Sequence, residues 1–219
     1  MKNILKRGGI EFLAVFLGIA LSLWVDDYRE LKEINTRLND DYDKIFSEVK
    51  SNLSNINEII LKNQKLLDNE KILINILDGN QAYKHKEIVN QVYNLNAPTF
   101  FGRTSAYNAS VASGRFNISK NDLIIEEVSL LYEHYFTRLY LNGDLFDERM
   151  MDFKKNHAFP FFKPYYTKSD VDTLSLKKYF FSDKFHNGIL LVHDFRNNFY
   201  LNRLNDTRDQ LMKVNELLK

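Results

Sequence analysis

The chain has 219 residues, with 30 Lys and Arg against 29 Asp and Glu for a formal net charge of +1. This excludes a generic electrostatic hold on nucleic acid, though not a local basic pocket. There is no cysteine, which excludes disulfides, cysteine zinc sites and thiol nucleophiles and suits either side of a bacterial inner membrane.

With only 8 Gly and 3 Pro, helix breakers are few and long helices are favoured. Lys2, Lys6 and Arg7 precede residues 10–25, which are apolar apart from Glu11 and Ser22, and Asp26 and Asp27 end the run. The uninterrupted part is shorter than the ~20 residues of a usual span. Adding Ile4 and Leu5, with Lys6 and Arg7 snorkelling, restores the length. A cleaved signal peptide shares the basic start, but Leu23-Trp24-Val25-Asp26-Asp27 lacks the small residues of a cleavage site. Residues 1–25 are therefore expected to be a basic tail and a retained transmembrane helix, with Lys6 and Trp24 at its membrane interfaces.

At 100° per residue, Arg7, Glu11, Ala14, Gly18 and Ser22 share one stripe of that helix. Small residues at every fourth position let helix backbones approach closely in lipid. An ionised carboxylate facing lipid costs about 3 kcal/mol, so Glu11 should face another helix or water. The stripe predicts a homo-oligomer, with a conducting path as its stronger form. The bland alternative is that Glu11 sits at headgroup level. Arg29, Lys32 and Arg37 beyond the run nearly balance the basic residues before it, so the side of the soluble domain stays undecided, with a slight lean to an inside N-terminus.

From Asp26 onward the pattern is helical. Leu31, Ile34, Leu38, Tyr42, Ile45, Val49, Leu53, Ile56, Ile60 and Leu67 mark one face of a long helix, continuous with the span, whose Asn-, Asp-, Lys- and Glu-rich side reads as solvated. A helical stretch at 72–77 ends at the turn Asp78-Gly79-Asn80. Residues 82–95 form a helix with Ile88, Val89, Val92 and Leu95 inward. Residues 97–103 are a loop, 104–113 a short helix, and Gly114 its C-terminal cap. Ser119 or Asn121 caps the next helix, with Ile124, Val128, Leu131, Tyr135 and Leu139 inward, a bend at Asn142-Gly143 and an end near His157. Residues 159–166 break helix. A last helix, from about Ser182 to Lys219, turns Leu201, Leu204, Leu211, Val214 and Leu218 inward. The fold class is all-α, one transmembrane helix continuing into a bundle of long antiparallel helices at 26–219.

The search for chemistry is mostly negative: there is no Gly-rich phosphate loop, Gly-x-Ser-x-Gly or His-Glu-x-x-His. His186 and His193 share a helix face beside Asp194, but their spacing of seven is not that of a metal pair. Arg149 and His157 depart from the spacing of helical ribonucleases. Aromatic loops carrying basic residues stack bases and hold phosphates in other proteins. The groups of that kind are Phe100, Phe101 and Arg103 with Arg115, and residues 159–166 with Lys154, Lys155, Lys163 and Lys168. The simpler reading is that these loops plug the end of a bundle. No enzyme, cofactor or metal is expected.

Glu11-Phe-Leu-Ala-Val-Phe-Leu-Gly18 through Trp24, followed by charged residues, resembles the anchor of an uncharacterised family of single-span bacterial membrane proteins, in which "IGEIxLVxIGIxIALxINNW" precedes a helical domain. Ser105, Tyr107, Ser113-Gly114, Ile118, Leu131-Tyr132 and Tyr135 are similar to its second motif. Here Ser22-Leu23 replaces the Asn-Asn before the Trp, and the second Tyr is shifted. The resemblance covers residues 8–30 and 104–136, implies no enzymatic activity, and puts a Glu at the place of Glu11. The architecture also resembles pore-forming effectors of bacterial anti-phage systems, including the Hailong effector, in which a regulatory nucleotide or oligonucleotide gates a membrane channel; this is an analogy of build. The expected function is therefore an oligomeric inner-membrane channel or membrane-disrupting effector, gated by such a ligand or by a partner protein encoded nearby. The alternative is a tethered helical sensor or scaffold facing the periplasm.

Overall fold

The computed structural model describes residues 2–119, 121–161 and 173–219, with the side chains of 2–8, 10, 11, 161 and 173 left aside. Among the described residues every regular element is a helix. The unbroken 3.6-residue pattern of the first third becomes one helix, α1 (Lys2–Leu77), of 76 residues. At 1.5 Å per residue it is about 114 Å long. It stops where Gly79 takes φ +76°, with the N–H groups of Asn80 and Gln81 returning to the Asn75 carbonyl at 2.8 and 3.1 Å. The positive φ is what only glycine tolerates cheaply.

The chain then comes back down α1. The return path is α2 (His85–Asn94), an extended strip, α3 (Ser105–Ala112) and a 3₁₀ turn at Phe116–Ile118. Gly114, at φ +75°, closes α3. Asn121 accepts the Ile124 N–H at 3.3 Å and starts α4 (Asp122–Ser129). This helix rises through a π-helical turn (Leu130–Phe136), α5 (Thr137–Phe153) and a second π-helical turn (Lys154–Ala158) into Phe159–Phe161. After α6 (Thr173–Phe180), Ser182 accepts the Phe185 N–H at 3.3 Å and caps α7 (Asp183–Asp194). A third π-helical turn (Phe195–Tyr200) and α8 (Leu201–Leu217) complete the descent. His186 lies 3.4 Å from Asp78 and Arg196 2.8 Å from Glu70, so this last limb runs antiparallel to α1. Gln210 bonded to Glu127 makes it antiparallel to the α4–α5 limb as well.

The core lies between these three limbs. α1 gives Ile45, Val49, Ile56 and Ile60, the α4–α5 limb gives Val128, Leu131, Leu139 and Phe146, and the last limb gives Ile189, Leu204, Leu211 and Val214, all buried. Each such side chain contributes about 1.5–3 kcal/mol on burial. Among the described side chains, Leu38 is the first buried one of α1.

Three local expectations differ from what forms. Asn142-Gly143 does not interrupt the helix: α5 is continuous through it, and a Cβ on Gly143 would meet Thr99 at 3.5 Å, an ordinary contact. The irregularities are the π-helical turns, each of which advances the helix face by an added residue. Leu131, Tyr132 and Phe136 are therefore buried while Tyr135 is only half-buried. Residues 173–180, given no element in the sequence reading, form α6.

α1 is continuous through Val25 and Asp26. Among the described residues, no helix is long and apolar enough to cross a membrane.

Candidate functional site

Among the described residues, nothing covers α1 from Phe12 to Trp24. Phe12 is 70% exposed and Trp24 65%, and among the described residues the ring contacts there run along the helix itself, Phe12 on Phe16 and Trp24 on Tyr28. Ala14, Gly18 and Ser22 lie along one exposed face. A Cβ at Gly18 would meet nothing within 4 Å. The helix backbone puts Arg7 and Glu11 on the same stripe; their side chains, and that of Lys6, lie outside the described ones.

Above Leu38 the helix carries a ladder of polar side chains that grips the descending strip. Asp41, Glu48, Asn52, Asn55 and Asn63 fall within roughly 80° of arc at 100° per residue. Asp41 accepts the Ser110 hydroxyl at 2.9 Å and the Arg115 guanidinium at 2.8 and 3.2 Å. That hydrogen bond from Arg115 holds the Asp41 carboxyl below the ordinary carboxylate range. Glu48 accepts the Ser105 hydroxyl and Ala106 N–H at 3.1 and 2.9 Å, satisfying the start of α3. Its other oxygen takes the Tyr132 hydroxyl at 2.9 Å. Burial, then the Glu48 charge, pushes that phenol up. Tyr132 stacks on Tyr107 with ring centroids 4.4 Å apart, and burial pushes Tyr107 up to about 12. Asn52 pairs with both backbone groups of Arg103 at 2.8 Å, as a neighbouring strand would. Asn55 donates to the Phe101 carbonyl at 3.1 Å and Asn63 to the Pro98 carbonyl at 2.9 Å.

Higher still, Arg196 is wholly buried. It donates to Glu70 at 2.8 Å, to Asn63 at 2.5 Å and to the Asn96 carbonyl at 2.7 Å, and lies over the Phe146 ring. Such a centre fixes geometry; the second Glu70 oxygen and His193 Nδ1 beside it, 3.5 Å apart, are buried with no hydrogen-bond partner among the described residues. Between α5 and α7 a cavity of about 400 Å³ is lined by Leu145, Glu148, Arg149, Asp152, His157 and Gly188 among others. His157 contacts the Tyr179 hydroxyl at 3.0 Å, and burial, aided by the Lys184 charge, lowers its pKa.

Among the described residues, the basic and aromatic side chains singled out from sequence lie at separate places in the fold. Phe100 is core, its N–H bonded to the Tyr200 hydroxyl at 2.9 Å. Phe101 is exposed, stacked on Tyr140. Arg103 is fixed through its backbone at Asn52, and Arg115 is engaged by Asp41, eleven residues or about 16 Å down α1. Lys154 and Lys155 stand at the other end of the bundle, where burial lowers the Lys154 pKa. Lys163 and Lys168 lie outside the described residues, as do 162–166 of the aromatic segment. His186 lies 3.4 Å from Asp78, in the turn after α1, and His193 3.5 Å from Glu70 of α1. Arg149 and His157 line the same cavity. Glu48, Asn52, Asn63, Glu70 and Arg196 escaped the sequence reading; the signal for the first three was a polar stripe of helical period on α1, read as solvated.

No curated protein and no solved structure matches the chain. A family described as a family of unknown function, DUF6090, matches residues 11–179. That stretch takes in most of the uncovered apolar helix, the polar ladder and the strip it grips, and on it the chain belongs to that family.

Proposed function

We propose that the protein is a single-span membrane protein whose apolar first third of α1 sits in the bilayer, associates with other copies, and lines an ion-conducting path of the membrane-disrupting effector type. The observation that carries this is the uncovered apolar helix. Every large apolar side chain between positions 12 and 24 is at least half exposed. There are nine of them, and covering each is worth ~1 kcal/mol even at partial burial, so on the order of 10 kcal/mol goes unrealised in water. The described side chains alone do not make up a span, but residues 4–25 of the sequence together supply about 33 Å of helix, against a hydrocarbon core of ~30 Å. Glu11 then belongs on the shared inner side, where another helix or water meets its carboxylate. The continuity of α1 into the bundle makes the bundle the element that moves or holds the span, and hence the place where a regulatory ligand or partner acts.

A tethered sensor or scaffold is the second reading. It is favoured by the ladder from Asp41 to Asn63 and the Arg196 centre, whose hydrogen bonds tie the limbs together, which suits a rigid platform.

The test is dye or ion leakage from liposomes holding the full-length chain. The channel reading predicts leakage that Glu11→Ala and Gly18→Leu abolish while the chain stays inserted. Insertion without leakage at any protein-to-lipid ratio sinks it and leaves the scaffold.

A further inference from the structure

The cavity between α5 and α7, about 400 Å³ in volume, has the size of a small-molecule site. Phe153 and Val192 form its buried wall, and Leu145 and Leu191 stand about half exposed at its mouth. Glu148 and Asp152, one helical turn apart on the exposed side of α5, both line it. Neither carboxylate is paired with a cation among the described residues. Arg149 lines the cavity too, but its guanidinium is laid over the Phe195 ring, 4.7 Å from the centroid.

A buried histidine faces the same space. His157 is 8% exposed. Its Nδ1 meets the Tyr179 hydroxyl at 3.0 Å, and that hydroxyl donates to the Asn156 carbonyl at 3.2 Å. A hydroxyl has one proton to give, which makes Nδ1 the donor and leaves the lone pair on Nε2. Nε2 is the ring atom nearest Gly188, 2.6 Å from where a Cβ would stand, and both residues line the cavity. Among the described residues, no group hydrogen-bonds Nε2. Burial, helped by the Lys184 charge, lowers the His157 pKa, which keeps this acceptor unprotonated at neutral pH.

We infer that this cavity binds a small organic monocation, a primary ammonium carried on an apolar body. The two carboxylates and the imidazole lone pair are acceptors for the ammonium N–H groups, and the apolar wall takes the body. An anion would meet Glu148 and Asp152, with only Arg149 to hold it, and Arg149 is engaged by Phe195. A neutral molecule would gain the wall but none of the charge-assisted bonds. Such a ligand touches both α5 and α7, and so ties the rising limb of the bundle to the last one. Its role as the regulatory ligand of the bundle rests on the membrane-anchored reading, whereas binding itself does not.

Tyramine is the probe, with tyrosol and hydroxyphenylpropionate as neutral and anionic counterparts of similar shape. Isothermal titration calorimetry of the full-length chain in detergent at about pH 7, where the amine is charged, should give one site with Kd below ~1 mM. Tyrosol and the propionate should bind about ten-fold more weakly or worse. Glu148→Gln combined with Asp152→Asn, both at exposed positions, should cost tyramine about ten-fold or more. Leu191→Lys, which sets a like charge at the mouth, should weaken it several-fold. No saturable binding of tyramine up to ~10 mM, equal affinity for the three probes, or binding that the double variant keeps overturns the inference. Leakage from liposomes reads the membrane proposal separately, so either can fail while the other stands.

Discussion

Arg196→Met tests whether the upper bundle is held by its buried charge. The guanidinium is wholly buried and gives three hydrogen bonds of 2.5–2.8 Å, to Asn63, Asn96 and Glu70. Methionine fills much of the space but leaves the buried Glu70 carboxylate with only His193, 3.5 Å away. Breaking a buried pair from one side costs about 3–5 kcal/mol. For a chain of this size each kcal/mol moves Tm by roughly 2–4 °C, so Tm should fall by about 6–20 °C. The assay is thermal unfolding of the full chain in detergent, followed by circular dichroism at 222 nm. Adding Glu70→Gln removes the stranded charge and should recover half the loss or more. A single-variant loss under ~1 kcal/mol, or no recovery in the double variant, refutes a coupled buried centre.

Other predictions follow the same geometry. Asn52→Ala strips both backbone partners from Arg103 and should cost about 1–3 kcal/mol, with faster amide exchange at Arg103 as the local readout. At Gly188 a Cβ would stand 2.6 Å from the His157 imidazole. Gly188→Ala should therefore destabilise by about 1–3 kcal/mol, and His157→Ala in the same chain should relieve part of it. Asp41 has a depressed folded pKa, so its contribution is present above the ordinary value of ~3.9 and is lost as pH falls through the folded value. The urea midpoint of the native chain should drop more steeply below about pH 4 than that of Asp41→Asn; parallel curves would count against the Arg115 clamp.

The long-period features were legible because they are local. Leu38, Ile45, Val49, Ile56 and Ile60 repeat at the helical period and are core, and Gly79 and Gly114 were placed by turn chemistry that their positive φ bears out. What escaped depends on partners distant in sequence. Asn52 looks solvated until Arg103, 51 residues on, lies down beside it. Arg196 reads as a surface arginine until Glu70, 126 residues back, meets it in the core. Periodicity also failed at Tyr135, because a π-helical turn adds a residue that no propensity announces. The candidate ligand residues were grouped by closeness in sequence, whereas the fold sets Arg103 and Arg115 at separate rungs of α1 and makes Phe100 core.

The central claim is that the uncovered start of α1 lies within a bilayer. The direct measurement is flotation of the full-length chain with lipid vesicles after washing in high salt and at alkaline pH. The account predicts that it stays with the vesicles through both washes, and that Phe16→Glu together with Ile19→Glu releases it. Release of the unmodified chain by the alkaline wash would contradict the account.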